Sequence, residues 1–430
     1  MNKKIISIYL TILKYLAKAQ LVKNKPIIIG ITGSAGKSSC TRLVANVLQH
    51  DFKIKFTKKG NSETGIPFEI LNIPVKNYSS LDWLIILLKG FFQVIFNWEE
   101  YSILVVEMGI DSDQYPKDMA TLLDILSPDI GVVLNTNNVH LEHFKGPKEI
   151  QTVANEKSKL LFSLPKNGLA IINQDQKEIV KLVDKVKAVK KTFSIKDNAD
   201  IKLLDHSVTL DRTIFKFNFE KKDFTVTLKK KLAFKESFGT IATTILIGNF
   251  LKLNTKTIIK HIEEDFEVLP GRGIILEGIH GSTIIDSSYN SSLEPTSASL
   301  RLLSQLKERK NRTIAILGDM RELGAKAQSD HISLEKIALD NADVIYSVGP
   351  LTSKYFKSKK VKKYLNPYSL IDDLKVDIKK NDIILVKGSQ NTILLESVVR
   401  EILNNKNDKN KLCRQSPYWD KQREILKKQA

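Results

Sequence analysis

The segment Thr32-Gly33-Ser34-Ala35-Gly36-Lys37-Ser38-Ser39 constrains this chain more than any other. Before it runs Pro26-Ile27-Ile28-Ile29-Gly30-Ile31, an apolar run of strand length, and after it Thr41 to Leu48 carries apolar residues at helical spacing. A glycine-rich turn from strand to helix lets backbone N–H groups converge on phosphate oxygens, and the helix N-terminus adds the positive end of its dipole. In such a loop Lys37 neutralises β- and γ-phosphate charge, while the Ser38 hydroxyl reaches Mg²⁺. The position five residues before Gly36 is Ile31 rather than the glycine of the strict Walker pattern. ATP with Mg²⁺ is therefore the ligand expected on Thr32, Gly33, Ser34, Ala35, Gly36, Lys37, Ser38 and Ser39.

The surrounding chain alternates short apolar runs with helical patterns, as a parallel sheet flanked by helices does. Ile103-Leu104-Val105-Val106-Glu107-Met108-Gly109 reads as a buried strand ending in a carboxylate, and α/β sheets place ligand groups at the carboxyl ends of strands. Glu107 is thus a metal ligand or, more plainly, a capping or surface acid. A further strand, Asp129 to Leu134, runs into Asn135 and then His140, Glu142 and His143. That spacing is no zinc signature, and phosphate-bound Mg²⁺ takes histidine only occasionally, so chemistry alone leaves His140 open.

A chain of 430 residues exceeds one ordinary core and implies two or three domains. Its formal charge of +19 admits nucleotides, nucleic acid or acidic lipid headgroups as partners, and the lysines are spread in short runs such as Lys229-Lys230-Lys231. Cys40 and Cys413 are too few for a disulfide framework and lie near no metal-ligand partners, so both read as structural. Near the start, Ile5, Tyr9, Ile12 and Leu16 fall at helical spacing while Lys14 and Lys18 interrupt the apolar run, which predicts an amphipathic helix rather than a secretory signal. A second apolar stretch, Leu81 to Trp98, is barely long enough to span a bilayer. It lies between two segments of one nucleotide domain, so it either packs on the body or, with residues 1–21, touches a membrane surface.

Taken together, these segments resemble the Mur ligases, the enzymes that build the peptide of bacterial cell-wall precursors. The shortened phosphate loop looks like theirs, and Glu107 in Val-Glu-Met-Gly resembles the acid that binds a second Mg²⁺. Asn135 and His140 match the family's Asn-x4-His segment, whose histidine serves that metal. Ala154-Asn155-Glu156-Lys157 resembles the helix whose lysine is carbamylated in many members, which implies a carbamylated Lys157. Gly60 to Pro67, Asp286-Ser287-Ser288-Tyr289-Asn290, Leu317 to Gly324 followed by His331, and Val386 to Ser389 are similar to segments of the branch that adds D-alanyl-D-alanine. Arg272 lies where the family's central domain hands over to its C-terminal domain, and Asp286 is expected to bind the nucleotide ribose with Asn290 nearby.

The resemblance implies an α/β chain with a P-loop central ATPase domain on a parallel sheet and a smaller Rossmann-like C-terminal domain. The expected divisions are an amphipathic helix over 1–25, the ATP-binding domain over 26–272 with a β-rich section near Lys191 to Leu232, the C-terminal domain over 273–410, and a basic tail over 411–430 that docks as a helix. The implied catalytic residues are Lys37, Lys157, His140 and Arg272, and the implied metal ligands Ser38, Glu107 and His140. Implied substrates are a UDP-muramoyl-peptide and D-alanyl-D-alanine, joined through an acyl phosphate in the cytoplasm or at the inner face of the membrane, with no nucleic acid partner. Two departures stand out. The adenine-contacting His-Asn-x-x-Asn of the family should fall near Lys235 to Gly239 and neither asparagine is present, and only about 25 residues precede the ATPase strand, too few to bury a UDP-binding domain.

Overall fold

The computed structural model describes residues 3–58, 60–74, 80–136, 149–308, 311–321, 323–388 and 391–429. Its elements run α1 (Lys3–Asn24), β1 (Ile27–Thr32), α2 (Lys37–Leu48), β2 (Ile54–Phe56), α3 (Gly65–Ile70), α4 (Ser80–Phe96), β3 (Ile103–Glu107), α5 (Met119–Ile125), β4 (Ile130–Val133), α6 (Glu149–Phe162), β5 (Leu169–Asn173), α7 (Lys177–Val180) and β6 (Val189–Ser194). Next come β7 (Ile201–Val208), β8 (Arg212–Phe219), β9 (Lys222–Lys229), α8 (Phe238–Phe250) and α9 (Thr255–Asp265). The remainder is β10 (Ile274–Glu277), β11 (Thr283–Ser287), α10 (Leu293–Gln305), β12 (Thr313–Gly318), α11 (Ala327–Asn341), β13 (Val344–Val348), α12 (Pro350–Tyr355), β14 (Val361–Tyr364), α13 (Pro367–Asp377), β15 (Ile383–Lys387), α14 (Glu396–Ile402) and α15 (Pro417–Lys427).

Contacts divide the chain into two compact units, residues 1–205, 215–226 and 236–266 in one, and 206–214, 227–235 and 267–430 in the other. This differs from the expected boundaries, and residues 267–272, with Arg272, and the tail 411–430 fall in the second unit. Helix α1 is no separate segment, because Ala17 and Leu21 join the core around Leu104, Val106 and Leu160, and Leu13 joins a second cluster with Phe68, Leu71 and Ile86. The expected 26–272 domain also gives up 206–214 and 227–235, since Val208, Leu210, Leu232 and Phe234 pack with the second unit's Ile285, Leu300 and Leu317.

The nine-stranded sheet has the order β2-β3-β1-β4-β5-β6-β7-β8-β9. The strands from β2 through β3, β1, β4, β5 and β6 to β7 pair in parallel, and the central β1, β3, β4 and β5 are near-continuous apolar runs buried on both faces. The rest is a sequential meander, so the sheet is mixed rather than wholly parallel. Glu220 and Lys221, the two residues between β8 and β9, both have positive φ (50° and 61°), the twist of a tight hairpin turn. The second sheet has the order β10-β11-β15-β12-β13-β14, with β10 antiparallel at one edge and the others parallel.

Register sets the candidate site. Ile31 lies opposite Glu107 of β3 and Thr32 opposite Val133 of β4, so the glycine loop leaves the sheet between the carboxyl ends of its two neighbours. If α1 is part of the core, Leu13→Ala lowers unfolding free energy by about 2–5 kcal/mol in urea titrations, whereas Ile12→Ala on its exposed side changes it by less than about 0.5 kcal/mol.

Candidate active site

The glycine loop is shaped by backbone chemistry and one side chain. Gly36 holds φ at 82°, a conformation costly to a residue with a Cβ, and this turns the chain into α2. No side chain caps α2, and its first helical bond runs from Cys40 N–H to Gly36 O, leaving the preceding amides at the positive end of the helix. Asn135, just beyond β4, accepts from Ala35 N–H through Oδ1 at 2.8 Å and donates through Nδ2 to Ala35 O at 3.0 Å. Its own carbonyl accepts from Ser34 N–H at 3.0 Å. The Lys37 ammonium donates to Gly33 O at 2.9 Å, so its charge rests over the loop. An uncapped helix start beneath a lysine held on the Gly33 carbonyl suits an anionic phosphate.

Glu107 is half-buried at the end of β3, where its Oε1 accepts from Asn61 Nδ2 at 3.0 Å and its N–H donates to the Thr57 hydroxyl. Asn61 is fixed in turn, its carbonyl accepting from Gly109 N–H at 2.8 Å. Lys157, on α6, is buried, and burial lowers its pKa to about 7. The Lys37 charge pushes the same way, while Asp111 and Glu156 oppose it. The structure thus brings Lys157 into the electrostatic field of Lys37, although 120 residues separate them in sequence. Glu156 accepts from Met119 N–H at 2.8 Å and pairs with Lys159 at 2.6 Å. His140 lies outside the described residues, and among those described no group of three His, Cys, Asp or Glu side chains is set to hold a metal. Ser38, in the first turn of α2, and Glu107, at the end of β3, remain as oxygen donors, a hard pair that fits Mg²⁺ in kind.

In the second unit, Asp286 is fully buried at the end of β11, and its Oδ1 accepts from Ser288 N–H at 3.0 Å. Burial raises its pKa, and its Oδ2 has no hydrogen-bond partner among the described residues. Burial, followed by the charge of Arg272, lowers the Lys387 pKa to about 7, while Asp286 opposes the shift. Lys387 donates to the carbonyls of Ser287 and Asn290, holding the chain after β11. The Asn290 side chain is turned inward on its own loop, accepting from Ser291 N–H at 2.7 Å. Tyr289 lies between two guanidinium groups, Arg272 at 4.8 Å and Arg414 at 5.2 Å from its ring. Arg414 also donates to Tyr289 O at 2.7 Å and to the buried Glu396 at 3.1 Å, and Arg423 donates to the same carboxylate at 3.2 Å.

Several residues singled out in the sequence are placed as supports. Asp319 accepts from Leu351 and Thr352 N–H groups at the start of α12. His331, fully buried, accepts from Met320 N–H through Nε2, so its Nδ1 donates to Ala327 O. Burial pushes the Cys40 and Cys413 thiols up to about 12, in keeping with structural roles. At the start of α8, a Cβ on Gly239 would lie 2.9 Å from the Phe193 ring, so this turn packs closely on β6. Sequence reasoning passed over Thr57 and Asn61 as partners of Glu107, and Asn173 and Gln176 as supports of residues 134–136. Only Asn61 carried a signal, inside the Gly60 to Pro67 motif.

Residues 31–233 match the Mur ligase middle domain and residues 271–390 the Mur ligase glutamate ligase domain. The chain is 27% identical over 383 residues to the UDP-N-acetylmuramoyl-tripeptide--D-alanyl-D-alanine ligase of Buchnera aphidicola subsp. Baizongia pistaciae, covering 87% of this chain and 75% of that one. With the enzyme of the same name from Escherichia coli it shares 24% over 388 residues, covering 88% and 77%. Among solved structures, the MurF ligase of Thermotoga maritima in complex with ADP superposes with a TM-score of 0.75 at 24% identity, over 91% of this chain and 83% of that one.

The buried Lys157 has a consequence for stability. Its folded pKa of about 7 lies below the ordinary 10.5, so between these values the unfolded chain holds the extra proton and stability rises with pH. Below about pH 7 both states are protonated and the cost is fully present. Lys157→Met is therefore expected to be more stable than wild type at pH 6, on the order of a few kcal/mol, and to show a shallower rise between pH 7 and 10 in urea titrations.

Proposed function

This chain belongs to the Mur ligase family of ATP-dependent acid–amino-acid ligases, and within it we propose that it adds D-alanyl-D-alanine to UDP-N-acetylmuramoyl-tripeptide. The observation that carries this reading is the similarity of this chain, over 87–88% of its length, to relatives named for that reaction, and Lys37 fixed over the glycine loop with Lys157 buried on α6 supports the ATP-driven step. Burial and the Lys37 charge both disfavour a proton on Lys157, and a polyanion on the loop would offset the Lys37 charge. A nucleotide triphosphate on the loop is such a polyanion.

In this mechanism the tripeptide carboxylate attacks the γ-phosphorus of ATP, forming an acyl phosphate and releasing ADP. The amine of D-alanyl-D-alanine then attacks the acyl carbon, forms the amide and expels phosphate. Phosphoryl transfer asks the protein chiefly for positioning and charge neutralisation. Residues 32–39 cradle the phosphates as a P-loop, and Lys37 draws charge from the transferring group. Ser38, Glu107 and His140 are assigned to Mg²⁺, which when bound neutralises phosphate charge. Asn61 keeps Glu107 oriented at the strand end. A Lys157 amine that is largely neutral above pH 7 can attack carbon dioxide, lose a proton and become a carbamate, a further anionic oxygen donor. Arg272, Asp286 and Asn290 are assigned to nucleotide and phosphate contact by their match to the family's pattern.

The assignment is tested by ADP release from the purified chain with ATP, Mg²⁺, UDP-N-acetylmuramoyl-tripeptide and D-alanyl-D-alanine, omitting each in turn. Release that needs both acceptors supports it; amine-dependent release indifferent to the muramoyl peptide points to another carboxylate, and release without any amine sinks the ligase reading. Lys37→Ala is expected to abolish product, a loss of at least about a thousandfold, while thermal melting stays close to wild type. Labelled bicarbonate should appear as a carbamate signal in wild type and be absent from Lys157→Met.

A further inference from the structure

Helix α4 is anchored on one side and bare on the other. Its inner side buries Ile86 in the cluster with Leu13, Phe68 and Leu71, and a Cβ on Gly90 would lie 3.0 Å from Leu16. Its outer side presents Leu84, Leu88, Phe91, Phe92, Ile95 and Phe96, each at least 42% exposed. These six recur at helical spacing and form one continuous stripe. Trp98, beyond the helix end, is 73% exposed, and the neighbouring α1 adds exposed Ile8 and Tyr15. A contiguous apolar surface of this kind marks an interaction site rather than scattered surface apolarity.

Charge selects the occupant. Helix α1 carries five lysines and no acidic residue; Lys14 and Lys18 pair with Asp124 at 2.6 and 3.1 Å, and Asp82 is the one acid in α4. Lys23 lies 4.4 Å from the Trp98 ring and donates to Asn97 O, which places a cation beside an exposed aromatic. Lys89 sits within the apolar stripe's length and is exposed. Lysines that keep their charge at the rim of an aromatic and aliphatic face are the arrangement of a helix lying in a lipid headgroup layer. A second copy of the chain would bring one lysine-rich rim against another, and nucleic acid would leave the aliphatic stripe unsatisfied. Among the described residues no helix is long and apolar enough to cross a membrane, so contact is with one leaflet surface.

We propose that the outer face of α4, with Trp98, Lys23 and Lys89, docks this chain on the surface of a bilayer containing anionic lipid. The aliphatic and phenyl groups enter the acyl boundary, and the lysines meet lipid phosphates. The proposal is independent of which carboxylate the ligase activates.

The test is sedimentation of the full chain with vesicles of phosphatidylcholine, alone or mixed with phosphatidylglycerol. Wild type is expected to pellet with the mixed vesicles, less with phosphatidylcholine alone, and less again in high salt. Phe92→Glu with Phe96→Glu should lower the partition coefficient by about a hundredfold, the scale of burying two aromatic side chains, with ATP-driven turnover in solution unchanged. Should that pair disturb folding, as judged by thermal melting, Phe96→Ser with Trp98→Ser at the most exposed positions is expected to melt normally and still lose about tenfold. Failure of wild type to pellet with the mixed vesicles overturns the proposal. So does a wild-type dimer in light scattering that the variant splits into monomers, since the face would then belong to a second copy.

Discussion

The closure of the glycine loop by Asn135 is the contact on which the first unit's site depends. One side-chain amide satisfies both backbone groups of Ala35, and the same residue's carbonyl takes the Ser34 N–H. Each such bond contributes only about 1 kcal/mol net, yet leaving any one of these partly buried groups unpaired costs more than that. The support continues outward. Asn173 at the end of β5 donates to Leu134 O, and Gln176 accepts from both Thr136 donors, so β5 fixes the segment after β4, which fixes the loop, which aims α2. The helix start is then uncapped because its position, not a local side chain, determines what it faces.

Against this rigid frame the charged groups are held at a cost. Lys157 stays within a buried helix face close to another cation, a placement that stability alone disfavours. Sites that bind anions often store cost in this way, because the ligand removes it. Glu107 is treated oppositely. It is given a donor from Asn61 and a hydroxyl beneath its N–H, so it stays half-buried and oriented.

The second unit spends its buried charge on fixing a loop. Glu396 is fully buried between Arg414 and Arg423, and Arg414 reaches on to Tyr289 O and Ser288 O. The C-terminal residues therefore hold the chain that follows β11, where Asp286 and Asn290 lie. Asp319 and His331 do comparable work beside β12, capping one helix and fixing the start of another turn. Residues that look functional in a motif can thus act by satisfying backbone groups of the turns beside them.

The phosphate loop, its flanking strand and helix, the strand ending in Glu107 and the amphipathic α1 were all legible, because each is written in residues a few positions apart. Apolar period and glycine placement act through local backbone sterics and one-face burial, and these do not need the rest of the chain. The family's pattern extended that reading to Lys157 and Asp286, which composition would never have singled out. Other features were not legible. The hairpin that makes the first sheet mixed depends on Glu220 and Lys221 adopting positive φ, which neither residue type announces. The sharing of 206–214 and 227–235 with the second unit follows from where Val208, Leu232 and Phe234 find apolar partners. Sequence by itself determined that this chain carries a glycine-rich strand-to-helix loop in an α/β frame, since those signals are short-range. Only the tertiary structure decided that Lys157 loses its water beside Lys37, that Asn135 closes the loop, and that α4 leaves its apolar side bare, since burial and charge coupling arise between residues far apart in the chain.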